Sequence, residues 1–284
     1  MRNKKKKEDL ILLVAGIIFL CIFCISGYFL IDYYVESRKQ EELNNQLAQI
    51  KHGSKVEGFV EVKAIPITPK PAKGSENTTE EQKDSALQEE QTKESQEASE
   101  ESEETPALTE LNPDYVGWIQ MPDTVIDYPM VHKDNSYYLR RDFYGEKNKH
   151  GTIFLDESCD AEDTFLLIHG HNMKDGTMFG CLKNLKKESY REEHSELTIS
   201  WNDTEETYEI FAGALVDLYD ENRFRYEKLP QVEKTMTEYL EQLKQHALWY
   251  EDVSWEMDKR VIIMSTCDYG TKEQRFIVAA IEKK

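Results

Sequence analysis

Paired cysteines are missing from the bulk of this chain. Its 284 residues hold five cysteines, an odd number. Cys21 and Cys24 share an apolar N-terminal run, and Cys159, Cys181 and Cys267 are scattered with no C-x-x-C spacing among them. No disulfide framework is legible, and a zinc ribbon would need clustered pairs. One bridge, Cys159 to Cys181, is the pairing left open. Positive charge is scarce too: 35 Lys and Arg stand against 55 Asp and Glu, a formal net charge of −20. Affinity for phosphate backbones comes from Lys and Arg, so nucleic acid is set aside as a partner. Aromatic residues thin out before Pro106, which places the material for a core after it.

Long apolar runs are also few, and the one present stands out. From Leu10 to Ile31 no residue is charged. Those 22 residues match the roughly 20 helical residues that cross a hydrocarbon core. Arg2 and Lys4 to Lys7 precede the run, so the positive-inside rule keeps residues 1–9 in the cytoplasm and sends the rest out. A cleaved signal peptide has a shorter apolar core and ends in small residues. Here Tyr28, Phe29, Tyr33 and Tyr34 occupy that end. The expectation is a retained single-pass anchor at the cell membrane, with everything after residue 31 outside.

Residues 32–105 read as a stalk. Residues 36–60 are polar and compatible with a short helix leaving the membrane. From Gly74 to Thr105 there are twelve acids, two lysines and no aromatics. Such a segment buries too little apolar surface to offset its ordering entropy and is expected to be a disordered acidic spacer. Folded sequence resumes near residue 106 and runs to Lys284, about one domain. Val125–Val131, Thr152–Leu155, Thr164–His169, Glu196–Trp201, Thr207–Leu215, Arg260–Thr266 and Arg275–Ile281 are short, rich in Ile, Val, Phe and Tyr, and often separated by turn residues, so they read as strands. Between them, Val232, Met236, Tyr239, Leu240, Leu243 and Ala247 recur at helical spacing and predict one amphipathic helix. Many short strands with one helix point to a mainly β, closed or nearly closed structure with helical additions.

Cys267 ends an apolar strand, and strand ends are where a rigid scaffold presents reactive groups. The plain alternative is a small buried hydrophobe. A nucleophilic thiol needs a base or a cation nearby. His169 and His171 follow another apolar strand, with Gly170 between them making a turn and separating the two rings. An H-x-H pair is also a metal-ligand pattern, but no further ligands support it here. Arg275 follows Cys267 by eight residues. If their two strands form a hairpin, the guanidinium returns beside the thiol and can donate to an oxyanion. Its plain alternative is a surface arginine paired with a carboxylate.

The stretches "HGHNMKDGTMF", "STC" with an arginine eight residues on, and "LNPDYVGWIQMPDTVIDYPMVHKDNSYYLRRDFYGEKNKHGTIFLD" together resemble the class B sortases. The resemblance covers about Leu108 to Lys284. Where that family usually carries T-L-x-T-C, this chain has Ile263, Met264, Ser265, Thr266 and Cys267, a change read as strand packing. The resemblance implies an eight-stranded β-barrel cysteine transpeptidase with peripheral helices. It implies Cys267 as nucleophile, His171 as general acid and base, and Arg275 as the residue that stabilises the oxyanion or orients the substrate. Ser265 and Thr266 are implied more weakly as lining the substrate groove, and His169 is left structural. The partners implied are secreted proteins bearing a C-terminal sorting signal and an amine of peptidoglycan, either a precursor or a cross-bridge. Neither metal nor organic cofactor is implied. Two rivals stand beside this reading: a cysteine protease that uses water as acceptor, and a stalked adhesin or receptor without catalysis.

Overall fold

The structure is a computed structural model and describes residues 2–53, 107–201, 204–230, 233–256, 258–268 and 273–283. The chain divides into two units. One joins the N-terminal residues to Ala107–Lys284; the other, Val56–Pro106, lies outside the described residues, and with it the predicted acidic spacer.

Helix α1 runs unbroken from Arg2 to His52. It is long and apolar enough to cross a membrane. From Ile11 to Ile31 its large apolar side chains are exposed, as expected of a surface suited to lipid instead of protein. The helix does not stop where polarity begins. Residues 36–52, predicted as part of a separate short helix, continue α1 and pack on the folded domain. Leu47 is fully buried against Trp118, Phe143 and Phe154 in a satellite cluster.

After the short α2 (Leu108–Leu111), the chain forms β1 (Tyr115–Gln120), β2 (Asp127–His132), β3 (Ile153–Leu155), β4 (Phe165–His169), α3 (Glu188–Glu193), β5 (Glu196–Trp201), β6 (Thr204–Asp217), α4 (Glu233–His246), β7 (Ala247–Tyr250), β8 (Val261–Asp268) and β9 (Gln274–Glu282). Their hydrogen-bonded order is β5-β1-β2-β3-β4-β8-β9-β6, and β6 pairs back to β5, so eight strands close into a barrel. Closure leaves no open edge among those eight. Strand β7 adds to β6 outside the ring.

All seven strands expected from sequence are present; Glu196–Trp201 keeps its bounds and the other six are extended or trimmed by a few residues. Strands β1 and β7 were not expected. Gly117 interrupts the apolar pattern of β1, and a Cβ there would sit 2.7 Å from the Ser200 carbonyl, so the gap in the pattern serves close strand approach. Ala247 continues the apolar stripe of α4, which hid the switch from helix to strand.

Both faces of β8 are buried from Val261 to Met264. Such a strand reads as a continuous apolar run because neither face meets water. Met236, Tyr239 and Leu243 of α4, and Leu182 and Leu185 of the 3-10 helix Phe179–Lys186, belong to the same cluster. Burying one such leucine contributes about 2 kcal/mol. Cys159 and Cys181 lie in this cluster as free thiols, so the disulfide left open by the sequence is not formed.

Candidate functional site

Strand pairing at one rim of the barrel brings the chemistry together. Strands β8 and β9 form an antiparallel hairpin in which Cys267 stands directly opposite Arg275. Residues opposed in an antiparallel pair project to the same face, about 5 Å apart at the backbone. Strand β4 runs parallel to β8, with His169 paired to Ser265. His171 therefore lies two residues beyond that rung on one side and Cys267 two residues beyond it on the other. The gap between them is held by two bonds: the Gly170 N–H donates to the Ser265 carbonyl at 3.2 Å, and the Asn172 side-chain amide donates to the Cys267 carbonyl at 2.7 Å.

Two glycines permit this approach. A Cβ on Gly170 would lie 2.6 Å from Ile153 and Phe179. Gly151 has φ +64°, and a Cβ there would meet the carbonyls of Tyr138 and Leu139 at 2.7 and 2.8 Å and the His171 ring at 3.2 Å. With that space free, the Leu139 carbonyl reaches His171 Nε2 at 2.6 Å. A carbonyl only accepts, so Nε2 carries a proton and Nδ1 is the nitrogen left to exchange one. The ring is half-buried, and burial, together with the nearby cations Arg140 and Arg275, lowers the His171 pKa below its ordinary value, against the Leu139 bond, which raises it. The neutral imidazole is thereby favoured at neutral pH.

His169 and His171 do diverge. His169 bonds Asp156 at 2.8 Å and packs on Phe154. Burial pushes the Asp156 carboxyl up, but hydrogen bonds from His169 and Ser158 outweigh it and hold the group well below the usual carboxylate range. This pair ties β4 to the loop after β3.

Among the barrel cysteines, Cys267 alone is accessible in part; Cys159 and Cys181 are buried. Burial pushes both of those thiols up to about 11, which leaves them protonated and unreactive. Arg275 is half-buried, and among the described residues its guanidinium forms no ion pair, donating to the Gln274 carbonyl at 3.3 Å. The cation is thus unspent. Ser265 and Thr266 are 3% and 2% exposed, and the Thr266 hydroxyl is enclosed without a hydrogen-bond partner.

Three contributors escaped the sequence reading. Asn172 follows His171 directly, and an amide next to a site histidine is the signal that was available. Leu139 acts through its carbonyl, which no side-chain pattern reveals. Tyr226 is buried, and its phenol lies close enough to Ser265 and Arg275 for both to offset part of the rise in pKa that burial causes.

A closed eight-stranded barrel carrying a thiol, an imidazole and a guanidinium at one rim defines a thiol-dependent acyl-transfer architecture. The comparisons with known proteins agree. A family model described as the sortase domain matches residues 119–283. Sortase B of Listeria monocytogenes is 34% identical over 164 residues, covering 57% of this chain and 65% of that protein. The X-ray structure of Clostridium perfringens sortase B superposes with TM-score 0.57 at 28% identity, over 62% of this chain and 98% of that one. A crystal structure of a sortase B complexed with triglycine is similar at TM-score 0.56 and 26% identity, over 62% of this chain and 84% of that one. The chain belongs to the sortase family, and its relatives are of class B.

Proposed function

We propose that the chain is a membrane-anchored cysteine transpeptidase that cuts a sorting signal and passes the acyl group to a peptidoglycan amine. The observation that carries this reading is the common rung: Cys267 faces Arg275 across β8–β9, while His171 and Cys267 extend equally past the β4–β8 pairing. Sortase-family membership and the anchor-like α1 support it.

The steps follow from the groups. His171 Nδ1 takes the proton of Cys267, and the thiolate attacks the scissile carbonyl of the sorting signal. Arg275 lies beside the thiol, where its N–H groups can donate to the oxyanion. His171, now protonated at both nitrogens, releases the Nδ1 proton to the departing amine, leaving a thioester on Cys267. The incoming amine repeats these steps in reverse, with Nδ1 as base. The Leu139 carbonyl holds Nε2 throughout, so proton exchange at the ring is confined to Nδ1. Ser265 and Thr266 are proposed to shape the groove floor from beneath, since their side chains are buried.

The sortase B complexed with triglycine supports an amine acceptor, and this chain is proposed to use one of that kind or a diaminopimelate side chain. The anchor would keep the N-terminus cytoplasmic and the barrel outside.

The test is a peptide library offered to the full chain in detergent, with and without triglycine or diaminopimelate. A mass adduct on Cys267 and amine-dependent ligation are expected. Cleavage indifferent to amine would instead make the chain a protease using water. Absence of any adduct would favour the non-catalytic alternative.

A further inference from the structure

Four cations crowd into one cavity on the α1 flank. The cavity holds about 520 Å³ and is lined by Arg140, Arg141, Lys147 and Lys149, with Tyr137 and Glu36 among the other walls. Lys149 is already paired, to Asp32 at 2.7 Å and to Glu36 at 2.6 Å. Arg141 donates to the Gly145 carbonyl at 2.8 Å and stacks over Tyr137. Arg140 and Lys147 are exposed, and among the described residues neither side chain has a bonded partner. The cavity thus keeps a surplus of positive charge after Glu36 in its wall and Asp32, the other partner of Lys149, are counted, in a chain whose net charge is −20. Like charges gathered in one concave place repel unless an anion joins them.

The height of the cavity identifies the anion. Glu36, in its wall, lies five residues beyond Ile31, where the uncharged run ends. At 1.5 Å per helical residue that is about 7–8 Å past the edge of the hydrocarbon core. Headgroups fill about the first 5–8 Å on each side of that core. Tyr33 and Tyr34, in the turn between, are residues that collect at this interface.

We infer that this cavity is a binding site for the phosphate headgroup of an anionic membrane lipid, held by Arg140 and Lys147 and flanked by Arg141 and Lys149. Arg140 directly follows Leu139, whose carbonyl supports the His171 ring. A headgroup bound there steadies the segment on which the imidazole leans. The inference rests on α1 spanning the bilayer, but not on the reaction proposed for the rim.

The test places the full chain in nanodiscs of equimolar phosphatidylcholine and phosphatidylglycerol, then counts lipids retained after release by native mass spectrometry. The wild type is expected to retain phosphatidylglycerol over phosphatidylcholine. Arg140→Gln and Lys147→Gln should each lower that retention about fivefold, the effect of one basic residue at an anionic surface. Lys183→Gln, an exposed cation on the helix Phe179–Lys186, should leave it unchanged. Equal retention of both lipids, or losses no larger than in Lys183→Gln, would overturn the assignment. Inorganic pyrophosphate is the second arm. If it binds the chain in phosphatidylcholine discs and strips phosphatidylglycerol from mixed ones, the site takes soluble phosphate and the lipid assignment falls. Failure of the chain to insert would remove the headgroup depth and overturn the inference by a separate readout, with peptide ligation still measurable in detergent.

Discussion

At the rim of the barrel, strand register sets Cys267 opposite Arg275 and leaves His171 just past the end of the neighbouring strand, each with few bonds of its own. Along the flank, α1 makes many: Asn148 donates to Gln40, Lys149 pairs with Asp32 and Glu36, His52 with Asp127, and Tyr33 and Ser37 both donate to Asp175. The rim owes its geometry to strand register, and its reactive groups stay underbonded and available. The flank owes its geometry to side chains, and the polar groups that join α1 to the barrel are paired. A group that does chemistry has to be left partly unsatisfied, whereas a group that holds two elements together is satisfied as fully as it can be. Losses should therefore be abrupt at the rim and graded on the flank.

The largest effect is expected at the sulfur. Cys267→Ala should form no acyl-enzyme at all, read as absence of the peptide adduct by mass spectrometry. Arg275→Lys keeps the charge but loses the planar fork. It should lower kcat by about 10²-fold or more, the scale of removing an oxyanion donor, and near-normal turnover would remove Arg275 from the mechanism. On the flank, Leu47→Ala should cost about 2–4 kcal/mol by opening a cavity, read as a fall of several degrees in Tm. Tyr33→Phe with Ser37→Ala removes two exposed hydrogen bonds to Asp175, four residues past His171. A fall of several-fold in kcat with KM little changed is expected, and no change would show that rim and flank are independent.

The smallest effect is electrostatic. Because the His171 pKa lies below its ordinary value of about 6.5, its neutral form, the base, persists as pH falls. The acid limb of the kcat/KM profile should lie below that value. Arg140→Gln removes a cation that opposes the imidazolium, so the limb should move upward in pH. A limb that stays still would detach Arg140 from the ring. Asp175 has its own pH signature. Burial pushes its carboxyl up, but Thr177, Tyr33 and Ser37 donate to it and bring it down to about 2. Its contribution to docking α1 is present above the ordinary carboxylate range and is lost as pH falls through that range toward about 2.

The β8–β9 hairpin was legible because two apolar runs flank a short polar loop, and an antiparallel pairing across it leaves little freedom in register. The α4 stripe was legible for the same local reason. The fit of α1 to the barrel was not, because its contacts are mostly polar. Gln40 and Asn148 look like solvent-facing residues in a sequence, yet Gln40 is 4% exposed. The first part of the predicted stalk is thus helix that packs on the barrel, and the predicted spacer lies outside the described residues. Position beside an apolar strand singled out His169 and His171 together, and only the family resemblance chose His171; which of its nitrogens is left free depends on a backbone carbonyl 32 residues away, contributed by a turn with no motif.

The parallel pairing of β4 with β8 has a consequence for how this site can change. Inserting or deleting one residue in either strand would turn every following side chain to the opposite face, pointing the sulfur or the ring away from its counterpart. Changes of length tolerated by this pair of strands are therefore confined to the connections beyond the last shared rung.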